Sequence, residues 1–128
     1  MQNHILLIDD DVDFVEMNRT FLETKGYTVD TAYNGTEGVE RVKESAPDLI
    51  VLDVMMDQVG EGFEVARTLK QDETYKHIPI IMLTSVNKEH GFDLTVGADE
   101  QWNPVDCFLE KPLSPQDLLT KVREFLTQ

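Results

Sequence analysis

The sequence predicts an α/β fold, in which helices cover both faces of one doubly wound parallel sheet of five strands. Short apolar runs recur along the chain with almost no polar interruption, which is typical of strands buried on both faces. Stretches with apolar residues at helical spacing separate these runs, the alternation that right-handed crossovers produce. At 128 residues the chain suffices for a single core. We therefore expect one domain over residues 1–128, with no output domain.

The first predicted strand is the apolar run Ile5–Ile8, which ends abruptly in the three carboxylates Asp9–Asp11. A helix is predicted next, with Asp11 or Asp13 as its N-cap and Gly26 placed to end it. Its apolar positions recur at helical spacing and are Phe14, Val15, Met17, Phe21 and Leu22.

The second strand is predicted at Thr28–Ala32, where weak alternation favours a more exposed position. A helix follows Asn34 and ends at Pro47.

The third strand is the most informative run, because Leu49–Leu52 is entirely apolar and is followed by Asp53. A core must surround these four residues, so Asp53 emerges at the carboxyl end of a central strand. Ligands collect at that edge in open α/β sheets. A helix with Val65, Ala66 and Leu69 on one face is predicted after the next loop.

The fourth buried strand is predicted at Ile78–Leu83, with Pro79 near its start and Thr84 at its end. Between Val86 and Asp106 the apolar pattern degrades, so the fourth helix of the fold is expected to be short or irregular.

The last strand is predicted around Val105 and Cys107–Leu109, and it ends in Glu110, Lys111 and Pro112. The final helix has the clearest pattern in the chain, since Ser114 can cap it and Pro115 suits its first position.

The charge restricts the partners. A formal net charge of −14 argues against nucleic acid and anionic membrane, because phosphate contacts need Lys and Arg. Basic partners and metal cations remain open.

The single cysteine, Cys107, excludes an internal disulfide and is expected to be a buried, inert thiol. No signal peptide or run of membrane-spanning length is visible, so we expect a cytoplasmic protein.

Four predicted strands end in polar groups on one edge of the sheet. These are Asp9–Asp11, Asp53, Thr84 and Lys111. Clustered carboxylates repel one another, and a hard divalent cation with oxygen ligands relieves that repulsion; so small a set of protein oxygens suits Mg²⁺. With a cation and an amine beside it, Asp53 is equipped to receive a phosphoryl group as a nucleophile.

The chain resembles the bacterial response-regulator receiver domain, and most closely a stand-alone, chemotaxis-regulator-like member. Four successive motifs carry the resemblance: Ile5-Leu-Leu-Ile-Asp-Asp-Asp, Asp48-Leu-Ile-Val-Leu-Asp-Val-Met-Met, Ile80-Ile-Met-Leu-Thr-Ser and Phe108-Leu-Glu-Lys-Pro. Together they cover essentially the whole chain in the right order. The resemblance implies the flavodoxin-like strand order 2-1-3-4-5.

The resemblance also implies the roles of the site residues. Asp53 would be the phosphoacceptor, and Asp9, Asp10, Asp53 and the backbone carbonyl of Met55 would hold Mg²⁺.

Two further residues are implied at the phosphoryl group, and one at a switch. Thr84 and Lys111 would contact the phosphoryl oxygens, and the Lys111-Pro112 peptide bond would be cis. Phosphorylation would pull Thr84 toward the new group, and Phe108, in the place of the family's aromatic switch residue, would turn inward.

The function implied is a phosphoacceptor switch of a two-component or phosphorelay system. It would receive its phosphoryl group from a histidine kinase or a histidine phosphotransfer protein and signal to an unknown target by protein contact. It would assist its own phosphorylation and dephosphorylation, without being an enzyme in the usual sense.

Two other functions use the same fold. A phosphorylation-independent adaptor is disfavoured by the intact acidic pair, Thr84 and Lys111. A binder of a flavin phosphate is disfavoured because acids, and not a Gly-rich and Ser/Thr-rich loop, follow the first strand. Departures from the family pattern fall on the signalling surface: Asp57 replaces a common proline, and residues 100–106 resemble an insertion.

Overall fold

The computed structural model describes residues 3–54, 61–85 and 106–126. Within them, five parallel strands form one sheet in the order β2-β1-β3-β4-β5, as predicted. The strands are β1 (His4–Ile8), β2 (Thr28–Ala32), β3 (Leu49–Asp53), β4 (Ile80–Ser85) and β5 (Cys107–Lys111). The described helices are α1 (Val12–Thr24), α2 (Gly35–Glu44), α3 (Glu61–Lys70) and α4 (Pro115–Leu126).

The sheet separates two apolar clusters, one on each face. Alternate residues of β3 point to opposite sides: Ile50 and Leu52 join α2 and α3, while Leu49 and Val51 join α1 and α4. All five residues of β3 are buried. The apolar runs of the sequence are therefore the core, and β3 lies at its centre as predicted.

Three predicted helix ends agree with the structure, whereas α2 ends at Glu44, before the predicted end at Pro47. Asp11, and not Asp13, caps α1 by accepting a hydrogen bond from the backbone N–H of Phe14. Ser114 caps α4 in the same way, and Gly26 follows α1 with φ +97°, a conformation that glycine adopts readily.

The bounds of two strands differ from the prediction. β4 begins at Ile80 and not at Ile78, because Pro79 has no N–H to give to the ladder. At the other end the strand continues through Thr84 to Ser85, which pairs with Lys111. Lys111 is thus a strand residue and does not follow β5.

An ion pair at the opposite edge of the sheet fixes the start of β5. Asp106 Oδ2 accepts hydrogen bonds from the backbone N–H of Ile80, at 2.8 Å, and from Lys70 Nζ, at 3.1 Å. Lys70 Nζ also donates to the carbonyl of Ile78 at 2.8 Å. These contacts join α3, β4 and β5, and so help to set the register that carries Lys111.

One further prediction meets the structure only in part. Cys107 is half-buried, where a buried thiol was expected; burial nevertheless raises the pKa of the thiol, which disfavours the reactive thiolate. The predicted short or irregular helix between β4 and β5 lies outside the described residues. No helix in the described part of the chain is long and apolar enough to cross a membrane.

Gly62 brings α3 against the end of β3. Its N–H donates to the carbonyl of Val54 at 3.1 Å. A Cβ at this position would lie 2.6 Å from the Cα of Val54 and closer still to the carbonyl of Asp53. Backbone atoms cannot move aside as a flexible side chain can, so only glycine fits next to Asp53.

We predict that Gly62→Ala destabilises the protein, although alanine is the better helix former. The clash with the β3 backbone should lower the free energy of unfolding by about 1–3 kcal/mol. Chemical denaturation measures this. Thr68→Ala, at an exposed position of the same helix, is the control and should be close to neutral. Equal stability of the two variants would contradict the prediction.

Candidate functional site

The carboxyl ends of four adjacent strands place four polar side chains at one edge of the sheet. Asp9 follows β1, Asp53 ends β3, Thr84 lies near the end of β4 and Lys111 ends β5. Asp9, Asp53 and Thr84 are almost fully buried, at 2%, 4% and 1% exposure. Polar groups that are excluded from water need partners, so the contacts of this cluster determine what it does.

Three carboxylates form a candidate metal centre. Asp9, Asp10 and Asp53 each offer an oxygen, and these oxygens all lie within 4.8 Å of one another. Asp10 is exposed while the other two are buried, so the cluster opens to solvent on one side. An oxygen-only set that leaves room for water is the environment Mg²⁺ prefers. The acidic cluster could therefore bind a divalent cation, as predicted.

Lys111 provides the positive charge of the cluster. Its Nζ lies 2.7 Å from Asp9 Oδ2 and 3.9 Å from Asp53 Oδ2. Only 16% of the lysine side chain is exposed, so water screens these interactions little. The Lys111-Pro112 peptide bond is cis, as the resemblance implies.

The turn between β1 and α1 holds Asp9 from its other side. Asp9 Oδ1 accepts a hydrogen bond from the backbone N–H of Asp11 at 2.9 Å. Asp11 is in turn the N-cap of α1. The carboxylate of Asp9 is thus oriented by one backbone donor and one ammonium donor, and its position is fixed.

Thr84 has an unsatisfied hydroxyl. Its Oγ1 is buried and has no hydrogen-bond partner among the described residues. A buried hydroxyl without a partner costs about 1–3 kcal/mol, so a hydrogen-bonding group that reached Thr84 would be bound favourably.

Phe108 lies in β5, three residues before Lys111. The residue is half-buried, and its ring centroid is 6.3 Å from that of Phe63 in α3, with the rings tilted by 56°. It packs against the apolar cluster on the α2 and α3 face. The structure thus places the predicted switch residue next to a core that it could enter more deeply.

One predicted site residue lies outside the described part of the chain, and one contact of Lys111 was not predicted. Met55, whose carbonyl was assigned to the metal, lies outside the described residues. Conversely, helical spacing assigned Phe14 only to the apolar face of α1, yet its ring lies 4.4 Å from Lys111 Nζ. Spacing within a helix predicts which residues face inward, but not which distant side chain one of them meets.

Comparisons with known proteins agree with this geometry. Residues 5–123 match the model of the response regulator receiver domain family. Response regulator SaeR of Staphylococcus aureus (strain USA300) is 33% identical over 127 residues, which are 98% of this chain and 51% of that protein. The chain therefore spans about half the length of the curated relatives that it matches.

Two solved structures are similar in fold and sequence. The chemotaxis protein CheY4 of Vibrio cholerae is 27% identical, with a TM-score of 0.84 over 98% of this chain and 100% of that chain. The signal receiver domain of a signal transduction histidine kinase from Syntrophus aciditrophicus is 30% identical, with a TM-score of 0.82 over 98% of this chain and 90% of that chain.

We predict that Asp53→Asn stabilises the protein when no divalent cation is present. The substitution removes one of two buried, mutually repelling carboxylates, so the free energy of unfolding should rise by about 1 kcal/mol. Mg²⁺ should stabilise the wild type further, because a ligand of the folded state alone shifts the equilibrium toward it. Mg²⁺ should stabilise the Asp53→Asn variant less than it stabilises the wild type.

Asp48→Asn is the matched control, because Asp48 is exposed and immediately precedes the same strand at the opposite edge of the sheet. Denaturation with EDTA and with Mg²⁺ gives both quantities for all three proteins. An Asp53→Asn variant that is less stable than wild type in EDTA, or equally responsive to Mg²⁺, would contradict the prediction.

Proposed function

The chain belongs to the response regulator receiver domain family, whose members are signalling switches of two-component systems, and from this premise we propose that it accepts a phosphoryl group on Asp53. The observation that carries the proposal is the convergence of three carboxylates and Lys111 on one strand edge. A metal cation, an ammonium and a carboxylate nucleophile are the parts that phosphoryl transfer to a side chain requires.

The donor is proposed to be a phosphohistidine on a histidine kinase or a histidine phosphotransfer protein. An oxygen of Asp53 attacks the phosphorus, and an O–P bond forms as the P–N bond breaks. The electron pair of the broken bond stays on the imidazole nitrogen, which takes a proton from solvent. Asp53 is then an acyl phosphate.

The metal is proposed to be Mg²⁺, held by Asp9, Asp10 and Asp53 and by the backbone carbonyl of Met55. When bound, it would neutralise charge on the phosphoryl oxygens. Lys111 does the same from the β5 side, where its ammonium already lies within 3.9 Å of Asp53. The Thr84 hydroxyl is free to donate to a phosphoryl oxygen, since no described residue uses it.

The response is proposed to pass from Thr84 to Phe108. A phosphoryl group offers the partner that the Thr84 hydroxyl lacks, so Thr84 moves toward it. Phe108 then turns into the vacated space, and the surface near β4 and β5 changes. The equilibrium between the two arrangements is shifted because the phosphoryl group interacts differently with each.

The output is proposed to be contact with a downstream protein. Receiver domains of response regulators interact with histidine kinases and with effectors, and the net charge of −14 favours a protein over nucleic acid or membrane. The cytoplasmic location stays a prediction.

The two alternatives account less well for the site. An adaptor that is never phosphorylated gains nothing from two buried carboxylates, each of which costs desolvation energy. A flavin phosphate would be repelled by the carboxylates of Asp9, Asp10 and Asp53.

We predict that phosphoramidate, a small donor with a P–N bond, adds one phosphoryl group to the protein and that Mg²⁺ is required. Asp53→Asn should not be labelled, because its amide is a poor nucleophile. Asp48→Asn, altered next to the other end of β3, should be labelled like wild type. Intact-protein mass spectrometry with EDTA as a control measures this. Labelling of Asp53→Asn, or of wild type in EDTA, would sink the proposal.

We predict that Thr84→Val separates stability from signalling. Because the hydroxyl is already unpaired, its replacement by a methyl removes the cost of burying it and should raise the free energy of unfolding by about 1–3 kcal/mol. The variant should nevertheless lose the response of Phe108 to beryllofluoride and Mg²⁺, which NMR of ¹³C-labelled phenylalanine detects. Thr84→Ser keeps the hydroxyl and should respond. A full Phe108 response in Thr84→Val would refute the coupling.

A further inference from the structure

We propose that Phe14 is a positioning residue for Lys111, whose ammonium is held in the pocket by the face of the Phe14 ring. The proposal rests on the proposed function, because it assigns to Phe14 a part in phosphoryl transfer to Asp53. Phe14 itself touches neither the metal centre nor the transferred group.

The geometry is that of a cation–π contact at a buried charge. Lys111 Nζ lies 4.4 Å from the centroid of the Phe14 ring, well inside the distance at which such contacts stabilise a cation. The same Nζ donates to Asp9 at 2.7 Å and lies 3.9 Å from Asp53. The ammonium is therefore enclosed by two carboxylates on one side and an aromatic ring on another.

A closed chain of contacts fixes the ring. Asp9 Oδ1 accepts from the N–H of Asp11, and Asp11 Oδ1 accepts from the N–H of Phe14 at 3.1 Å. The ring of Phe14 contacts Lys111, which returns to Asp9. The capped first turn of α1 thus aims one ring at one ammonium, and both ends of the chain meet on Asp9.

An aromatic ring suits this task better than a polar group would. A carbonyl or a third carboxylate would occupy an N–H of the ammonium, whereas the ring attracts the cation through its quadrupole. Because the ring leaves the N–H groups to oxygen acceptors, Lys111 can exchange Asp9 for a phosphoryl oxygen while its ammonium stays over the ring. The ring excludes water from that side, which strengthens the remaining electrostatic contacts.

The same helix offers a matched control. Lys25 Nζ lies 5.3 Å from the centroid of Phe21, a second cation–π contact, and Phe21 is half-buried like Phe14. Lys25 is exposed and directly follows the end of α1, away from the carboxylate cluster. Phe21→Leu therefore removes a ring and a cation–π contact without altering the site.

The first test is the rate of labelling by phosphoramidate with Mg²⁺. Phe14→Leu should slow labelling by about threefold to tenfold, in the range that a partly buried cation–π contact supports, while Phe14→Tyr and Phe21→Leu should react like wild type. Thermal denaturation of each variant shows whether it is folded. Equal rates for Phe14→Leu and wild type would overturn the proposal.

A graded series separates the quadrupole from the shape of the ring. Phenylalanines with one, two or three ring fluorines, introduced at position 14, keep the ring in place and weaken its negative face step by step. The labelling rate should fall along the series while the melting temperature stays level. A rate independent of fluorine number would overturn the proposal, because a merely structural ring does not depend on its quadrupole.

A spectroscopic test distinguishes failure of this inference from failure of the proposed function. The ring should shift the Hε protons of Lys111 upfield in ¹³C-lysine spectra, and Phe14→Leu should abolish the shift in wild type and Asp53→Asn alike. A wild type that phosphoramidate does not label would refute the proposed function and the role in transfer together. A labelled wild type with no upfield-shifted lysine would refute the positioning role alone.

Discussion

The structure depends on one electrostatic constraint, which is that two carboxylates, Asp9 and Asp53, lie almost fully buried at the ends of adjacent strands. Removing each charge from water costs several kcal/mol, and their repulsion adds to that cost. Among the described residues, Lys111 lies close enough to offset it, at 2.7 Å and 3.9 Å from the two groups. Its own position depends on the register of β5, which Asp106 and Lys70 help to set at the opposite edge of the sheet. A contact about one strand length away thus contributes to the chemistry of the site.

Much of this could be predicted from the sequence, and the reason is the sheet itself. An uninterrupted apolar run identifies a buried parallel strand, and parallel strands deliver their carboxyl ends to one edge. The side chains that follow such runs were therefore expected to meet. Asp9, Asp53 and Lys111 do so, and Thr84 lies near the end of β4, the strand between β3 and β5. The register of β1 and β3 is restricted, because a slip of one residue would draw the carboxylate of Asp9 or Asp53 into the apolar core.

The contact of Phe14, the requirement for Gly62 and the end of β4 could not be predicted, because each depends on contacts between elements at the rim of the core. Phe14 has the spacing of an ordinary core residue of α1, and only the capped turn and the end of β5 bring its ring to Lys111. No sequence pattern identifies Gly62, because glycine is required there only by the short distance between the backbones of α3 and the end of β3. The extension of β4 through Ser85 likewise follows from its pairing with Lys111, a partner 26 residues further along the chain. Local sequence specifies the elements, whereas their ends are decided by neighbours.

The resting site is incomplete in ways that one pair of ligands would complete. It holds more negative charge than Lys111 offsets, and it buries a hydroxyl of Thr84 that no described residue satisfies. A cation would remove the first deficit, and a phosphoryl oxygen would remove the second. The interactions that the resting site lacks would form when a cation and a phosphoryl group bind. Their free energy would then contribute to the affinity for these ligands. In the proposed switch it would also favour one of two conformations, because Thr84 would gain its partner in only one of them. A site in which the Thr84 hydroxyl had a partner and the charges were balanced would be more stable. Binding of a cation or a phosphoryl group would then change its conformation less.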